Sequence, residues 1–193
     1  MYIWVSVLFG KDFETNIRNQ VIEIGEKNNL DPVAFGLPQH ISLKISFSCS
    51  ESSVNDVVDY LAGYLQEIEQ FIVEIDNIEL VAGNNNIIWF NILENKILRE
   101  LHNNINEELL RRFNIKFHEF DGNKFKFHST LFIDDKNINV DNYEKAFEEL
   151  QSISFDKIQN IEGACIGISK SGKMGTFNVR KFIEFKNKKI LMK

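Results

Sequence analysis

Two short segments of the sequence place a hydroxyl residue two positions after a histidine. They are His40-Ile41-Ser42-Leu43 and His128-Ser129-Thr130-Leu131. Hydrolysis of a phosphodiester needs a base that activates water and an acid that protonates the leaving oxygen, and two imidazoles can supply one of each. The hydroxyls of Ser42 and Thr130 could donate hydrogen bonds to the nonbridging phosphate oxygens. The two segments therefore predict phosphoryl chemistry that requires no metal ion.

Both segments show the alternation of a half-buried β-strand, which places every second side chain on one face. The faces that carry the histidines would hold His40, Ser42 and Lys44 in the first strand, and Lys124, Lys126, His128, Thr130 and Phe132 in the second. Lys44 and Lys126 are candidate substrate-binding residues because they add positive charge. Phe132 is a candidate to stack on a base, with core packing as the equal alternative.

The remaining polar residues give weaker signals. His102 lies within a helical pattern and is expected at the surface, and His118 could point into a cleft but lies outside the motif. The histidines lack the spacing of a zinc site, and we expect Asp134-Asp135 to be a solvated loop, so no metal site is predicted. The segment 169–175 lacks the order of a phosphate-binding loop and is interpreted as a hairpin loop, with the rim of a cleft as one option for its place.

The elements that must position the two histidines recur once along the chain. Strand, helix, histidine strand, helix and strand follow in that order in each half, and Ile3-Trp4-Val5 and Ile88-Trp89-Phe90 occupy the first strands. Asp121-Gly122 predicts a hairpin that joins a strand over 115–120 to the second histidine strand, 124–133. The other predicted strands are 2–9, 40–47, 87–93, 153–169 and 176–185, and 71–80 is predicted as a strand or a strand pair. The predicted helices are 13–28, 54–69, 96–113 and 142–150.

This order predicts an α+β protein with a bilobal duplicated fold. Two antiparallel sheets would line a central cleft, with the helices on the outside. We expect a single domain, 1–193, made of two pseudo-equivalent lobes, about 1–85 and 86–193, with strand exchange between them as an option.

Composition restricts the class of protein further. The net charge is −6, although the segment 165–193 contains eight Lys or Arg and one Glu. This basic segment could be a solvated tail or a strip beside an anionic substrate. The two cysteines form no framework and are expected to be free thiols in a reducing compartment. The apolar run 2–9 is too short to span a membrane and lacks the features of a signal peptide, so a cytoplasmic location is expected.

Pro38-Gln39-His40-Ile41-Ser42-Leu43 and Phe127-His128-Ser129-Thr130-Leu131 together resemble the paired motifs of the two-histidine (2H) phosphoesterase superfamily, which includes the 2'-5' RNA ligase-like proteins. The resemblance covers nearly the whole chain. It implies that His40 and His128 are the catalytic pair and that Ser42 and Thr130 hold the phosphate. Ser42 replaces the commoner Thr, and Gln39 separates Pro38 from His40, where the family often has proline directly before histidine.

The resemblance also implies an activity. It implies a metal-independent and cofactor-free phosphodiesterase or cyclic phosphodiesterase that acts on 2',3'-cyclic phosphates or 2'-5' linkages, with 2'-5' RNA ligase-like activity as a further option. An RNA end, an oligonucleotide or a cyclic nucleotide would be the substrate, with no membrane and no obligate protein partner. The alternative is a nucleotide- or RNA-end-binding module on the same fold with little or no turnover.

Overall fold

The computed structural model describes residues 1–30, 36–81, 86–133, 140–173 and 175–187. Strands and helices alternate in these ranges, and the α+β class predicted from the sequence is confirmed. The strands are β1 (Tyr2–Phe9), β2 (His40–Ser48), β3 (Phe71–Val81), β4 (Ile87–Ile92), β5 (His128–Ile133), β6 (Ile158–Ser169) and β7 (Asn178–Glu184). The helices are α1 (Lys11–Lys27), α2 (Val54–Leu65), α3 (Lys96–Phe113) and α4 (Val140–Leu150).

The seven strands pair antiparallel in one continuous sheet, in the order β2-β1-β6-β3-β4-β5, with β7 also bonded to β6. Strands β3 and β6 meet only near their starts, over Phe71–Glu74 and Ile158–Ile161, so two groups of strands are joined at a short seam. β6 comes late in the sequence yet pairs with β1, whereas β3 comes early and pairs with β4. The first half therefore gives β3 to the group formed by the second half, and the second half gives β6 and β7 to the group formed by the first.

The helices are exchanged in the same way. Helix α1 lies against the strands of the second half, where the Phe13 ring packs 6.0 Å from that of Phe90. A Cβ atom added at Gly25 of α1 would lie 3.1 Å from the Phe132 ring of β5, so glycine permits this close approach. Helix α3, from the second half, packs instead on β2. Each histidine strand is thus supported by a helix from the opposite half of the sequence.

The predicted strand over 115–120 and its hairpin at Asp121-Gly122 are wrong. This stretch is irregular, a short 3₁₀ turn spans Gly122–Lys124, and β5 begins only at His128. The reason is that the Asp121 carboxylate turns into the protein, where its side chain is buried and accepts a hydrogen bond from the backbone N–H of His118 at 2.7 Å. A residue anchored in this way cannot occupy the tip of an exposed hairpin.

The partner of Asp121 is Lys44. The Lys44 ammonium lies 2.5 Å from the Asp121 carboxylate and 2.5 Å from the amide oxygen of Asn106 on α3, and only 1% of its side chain is exposed. This buried ion pair holds the segment 114–127 against β2. Because an unpaired buried charge is costly, the two residues are mutually dependent.

His102 on α3 reinforces the same junction, and the expectation that it lies at the surface is wrong. It is fully buried, and its Nδ1 lies 2.7 Å from the carbonyl oxygen of Leu43. Its Nε2 accepts a hydrogen bond from the backbone N–H of Gly122 at 2.8 Å. A nitrogen that accepts carries no hydrogen, so Nδ1 carries it and donates to Leu43. Burial lowers the pKa of His102, which keeps this neutral form.

We expect Asp121→Ala to lower the free energy of unfolding by about 3–5 kcal/mol, because the buried ammonium of Lys44 loses its counter-charge. Adding Lys44→Met should recover part of the loss. Urea unfolding followed by circular dichroism measures both changes. The matched control is Asp59→Ala, which removes the partner of Lys181 from an exposed ion pair and should cost less than about 1 kcal/mol. Equal stability of the two single variants would contradict this structural role.

Candidate active site

A cavity of about 720 Å³ lies on the face of the sheet that carries the two histidines. The structure brings the four motif residues together on its wall, with one tryptophan beside each histidine. These six residues are Trp4, His40, Ser42, Trp89, His128 and Thr130. The cavity spans the two groups of strands, because β1 and β2 supply one side and β4 and β5 supply the other.

The two imidazoles are held in matching ways. His40 Nδ1 lies 2.7 Å from the carbonyl oxygen of Pro38, and His128 Nδ1 lies 2.9 Å from that of Lys126, which is two residues earlier in each case. A carbonyl oxygen can only accept, so Nδ1 carries the hydrogen in both rings and Nε2 is left for the cavity. Either ring can therefore accept a proton at Nε2 or, when charged, donate one from it.

A tryptophan packs against each imidazole. The ring centres of Trp4 and His40 are 4.4 Å apart, and those of Trp89 and His128 are 4.3 Å apart. The sequence contained a signal for this arrangement, because both first strands carry the same Ile-Trp pair. Together with the backbone carbonyls, the indoles restrict the rotation of both catalytic candidates.

The strand alternation persists through the hydroxyl residues and then breaks. In the pairing of β1 with β2, Ser42 lies opposite Ser6 and Lys44 lies opposite Val5, which leaves Leu43 without a partner. In the pairing of β4 with β5, Leu131 is skipped in the same manner. Each is a β-bulge, which reverses the face occupied by the residues that follow. The bulge comes three positions after the histidine in both strands.

This bulge corrects two site predictions at once. Lys44 and Phe132 each follow a histidine by four positions, and both turn to the helix side of the sheet. Lys44 still contributes to the cavity wall, but it is only 1% exposed and its ammonium is paired with Asp121, so its charge is not free for a substrate. Phe132 is fully buried against α1 and presents no ring for base stacking. Lys126, in contrast, is exposed on the cavity wall.

The first hydroxyl is oriented by its neighbour. The indole N–H of Trp4 donates to Ser42 Oγ at 3.1 Å. Because this bond occupies a lone pair of the oxygen, the hydroxyl hydrogen of Ser42 is free to donate into the cavity. Thr130 lies half-exposed on the opposite wall.

Two buried residues that sequence reasoning did not assign to the site connect the histidine segments. Ser129 Oγ donates to the carbonyl oxygen of His40 at 2.6 Å. The amide of Gln39 donates to Ser129 Oγ at 2.6 Å and to the carbonyl oxygen of Thr130 at 3.1 Å. These bonds, which we call the Gln39–Ser129 clasp, tie the two segments directly to each other. In the sequence, the clasp was indicated only by the position of Gln39 directly before the motif histidine His40.

The electrostatic surroundings of the histidines differ. Burial lowers the pKa of His40 to about 4, the Pro38 carbonyl opposes this change, and the nearby His128 adds to it. Burial also lowers the pKa of His128, but the Lys126 carbonyl and the carboxylate of Glu79 oppose the change. Glu79 was not identified from the sequence. It lies opposite Trp89 in the pairing of β3 with β4 and accepts a hydrogen bond from the Trp89 indole at 3.2 Å.

The other sequence candidates lie outside this centre. His118 lines a separate cavity of about 600 Å³ beside β2. The loop between β6 and β7 contributes Gly172 and Gly175 to the rim of the histidine cavity, as the hairpin interpretation allowed. Asp134-Asp135 lies outside the described residues. Both cysteines are free.

Within residues 1–30, 36–81, 86–133, 140–173 and 175–187, no group of three or more His, Cys, Asp or Glu side chains could hold a metal ion. Among the helices in these ranges, none combines the length and hydropathy needed to cross a membrane.

The fold and the sequence both match known proteins. TT0787 of Thermus thermophilus superposes with a TM-score of 0.66 and 14% identity, covering 97% of this chain and 100% of that one. LigT of E. coli in its apo form gives a TM-score of 0.58 and 16% identity, covering 95% and 96%. OB1230 of Oceanobacillus iheyensis, named as a candidate phosphoesterase, is 27% identical over 81 residues, which are 42% of this chain and 48% of that protein. That alignment thus spans about half of the relative.

The family model for the 2'-5' RNA ligase superfamily matches residues 13–159, a range that contains both histidine segments and the strands and helices that support them. The chain belongs to the 2'-5' RNA ligase superfamily, that is, to the 2H phosphoesterases.

Proposed function

We propose that the protein is a metal-independent phosphodiesterase that hydrolyses 2',3'-cyclic phosphates or 2'-5' linkages of RNA or nucleotides. The observation that carries the proposal is the matched pair of imidazoles, each held through Nδ1 by a backbone carbonyl and each directing Nε2 into one cavity. One imidazole accepts the proton of the attacking water while the other protonates the leaving ribose oxygen.

The phosphate would lie between the two histidines. Ser42 and Thr130 donate to its nonbridging oxygens as negative charge develops there, and the fixed orientation of Ser42 reduces the reorganisation that this requires. Lys126 and Lys124, both exposed on the cavity wall, supply positive potential around the anion. The reaction cleaves one P–O bond and forms another, and its two proton transfers are both assigned to histidine.

The surroundings of the cavity support a nucleotide-sized substrate. Its volume of about 720 Å³ lies within the usual range for small-molecule and cofactor sites. Phe120 and Phe177 on its wall offer aromatic faces for a base. E. coli LigT, which shares the fold, has been crystallised with 3'-AMP and with ATP.

The first prediction from the proposed function concerns the histidines. His40→Ala and His128→Ala should each reduce turnover of a 2',3'-cyclic nucleotide or a 2'-5' dinucleotide by on the order of 10²–10⁴-fold, the usual contribution of a positioned proton-transfer group. The double variant should lose much less than the product of the two, because the residues act as a unit. Ser42→Ala and Thr130→Ala should lose less, since other donors still hold the phosphate.

The control for this series is His118→Ala, which removes an exposed histidine from the neighbouring cavity and should leave turnover unchanged. Circular dichroism of every variant separates lost chemistry from lost folding. Normal turnover by a well-folded His128→Ala protein would end the two-histidine mechanism and favour the nucleotide- or RNA-end-binding alternative.

The second prediction concerns metal ions. Turnover should survive EDTA, because both proton transfers are assigned to side chains of the protein. Activity that disappears with chelator and returns with a divalent cation would instead indicate a metal-dependent phosphoesterase. Product analysis by mass spectrometry, with and without EDTA, gives the answer for each class of substrate.

The third prediction concerns the Gln39–Ser129 clasp. Gln39→Ala and Ser129→Ala should each reduce kcat by roughly 10- to 10²-fold, because a small displacement of one histidine relative to the other disrupts the reacting geometry. KM should change little, since neither side chain lines the cavity. Gln159→Ala is the matched control, because it removes another buried glutamine, whose amide donates to the Asp156 carbonyl at the start of β6. A clasp variant with the same kcat as this control would refute the positioning role.

A further inference from the structure

The two halves of the active site match closely, and one difference between them is a charged residue. In both halves a tryptophan packs on the histidine, and a backbone carbonyl binds its Nδ1. The difference lies on the strand next to the tryptophan. Trp4 faces Gly167 of β6, whereas Trp89 faces Glu79 of β3.

The glycine cannot be replaced by a counterpart of Glu79 without rearrangement. A Cβ atom at Gly167 would lie 2.8 Å from Cε3 of Trp4, which is closer than real contacts allow. The Trp4 indole N–H donates instead to Ser42, a neutral group. The half that holds His40 therefore has no carboxylate at the position where the half that holds His128 has one.

We propose that Glu79 sets the polarity of the histidine pair, so that the proton is held on His128, the general acid, and His40 is the general base. This proposal rests on the phosphodiesterase function above. Glu79 reaches His128 through Trp89, whose indole donates to the carboxylate and whose ring lies against the imidazole. Glu79 is therefore a positioning residue that acts through its charge.

The other charged groups around the pair do not remove this asymmetry. Lys124 and Lys126 line the cavity and disfavour a second positive charge. Lys44, next to the His40 side, is compensated by Asp121. Asp76 accepts a hydrogen bond from Asn91, which lies opposite His128, so it adds negative charge on the same side as Glu79. His40 itself has the other imidazole as a neighbour, and that neighbour lowers its pKa.

The proton balance of one turnover follows from this polarity. His40 Nε2 takes a proton from water as the water oxygen bonds to phosphorus. The P–O bond to the ribose oxygen breaks, and His128 Nε2 gives its proton to that oxygen. The products are a phosphate monoester and a free hydroxyl, and exchange with solvent removes the added proton from His40 and returns one to His128. The bound phosphate anion favours one added proton in the site, and Glu79 decides which ring receives it.

The test is the pH dependence of kcat/KM for a 2',3'-cyclic nucleoside monophosphate, measured on the wild type and on Glu79→Gln. The amide oxygen of Gln can still accept from Trp89, so the substitution removes mainly the charge. We expect a bell-shaped pH profile, in which the alkaline limb reports loss of the proton from the acid His128. Without the charge of Glu79 this limb should move to lower pH by roughly half a unit or more, and the acidic limb, which reports the base His40, should stay unchanged. Near neutral pH, kcat should fall while KM stays similar.

Glu74→Gln is the matched control, because it removes an exposed carboxylate from the same strand, β3, and both limbs should stay in place. Movement of the acidic limb in Glu79→Gln would show that His128 is the base and would overturn the assignment. Equal profiles for Glu79→Gln and Glu74→Gln would show that Glu79 has no such role.

A substrate with an activated leaving group provides a second readout. A p-nitrophenyl phosphodiester expels a stable phenolate and needs no acid. His128→Ala should therefore lose much less activity on it than on the cyclic nucleotide, whereas His40→Ala should lose about as much on both. The reverse pattern would exchange the two roles.

Proton NMR titration of the histidines keeps the polarity testable even if the cyclic nucleotide is not turned over. His128 should titrate at higher pH than His40, and Glu79→Gln should reduce the difference. If the wild type shows this order without turnover, the phosphodiesterase proposal fails while the electrostatic asymmetry stands. The opposite order of titration would overturn the polarity itself.

Discussion

The hydrogen bonds between the two histidine segments are the constraint on which the geometry of the site depends. Ser129 lies between His128 and Thr130 in the sequence, yet it points away from the cavity and donates to the backbone of His40. Gln39 completes the contact from the other side. Both residues are almost fully buried, so water does not compete for these bonds. The separation of the imidazoles is therefore fixed by backbone atoms and short side chains, which is the most rigid connection available.

The four motif residues lie on the wall of one cavity, where the alternation along each strand predicts them, because alternation is a local property of a strand. It misplaced Lys44 and Phe132 because a bulge is a property of two paired strands, and the partner register is not visible in either segment alone. The irregular path of 115–120 was missed for a similar reason. A buried bond between Asp121 and Lys44 spans 77 residues, whereas the hairpin signal at Asp121-Gly122 was read from adjacent residues. What could not be predicted consists mainly of contacts between distant parts of the chain.

The two halves of the sequence are interleaved in the fold rather than separate. Strands β3 and β6 and helices α1 and α3 each serve the half of the sheet to which they do not belong in sequence. Each motif therefore depends on the opposite half for support. If the two halves were identical, the two histidines would have identical surroundings and equal proton affinities. An acid–base pair requires inequivalent histidines. In the polarity proposed above, the contrast between Gly167 and Glu79 supplies that difference at one position on a neighbouring strand.

The pairing of β1 with β6 also has a consequence for the newly synthesised chain. Ser6 and Cys165 are 159 residues apart, so β1 can join β2 early but its second edge waits for nearly the whole polypeptide. Closing so long a loop is slow, and an unpaired apolar edge attracts strands of other molecules in the meantime. On the ribosome the edge of β1 that β6 covers therefore stays unpaired until most of the chain has been synthesised, so this edge is a surface that a chaperone would protect.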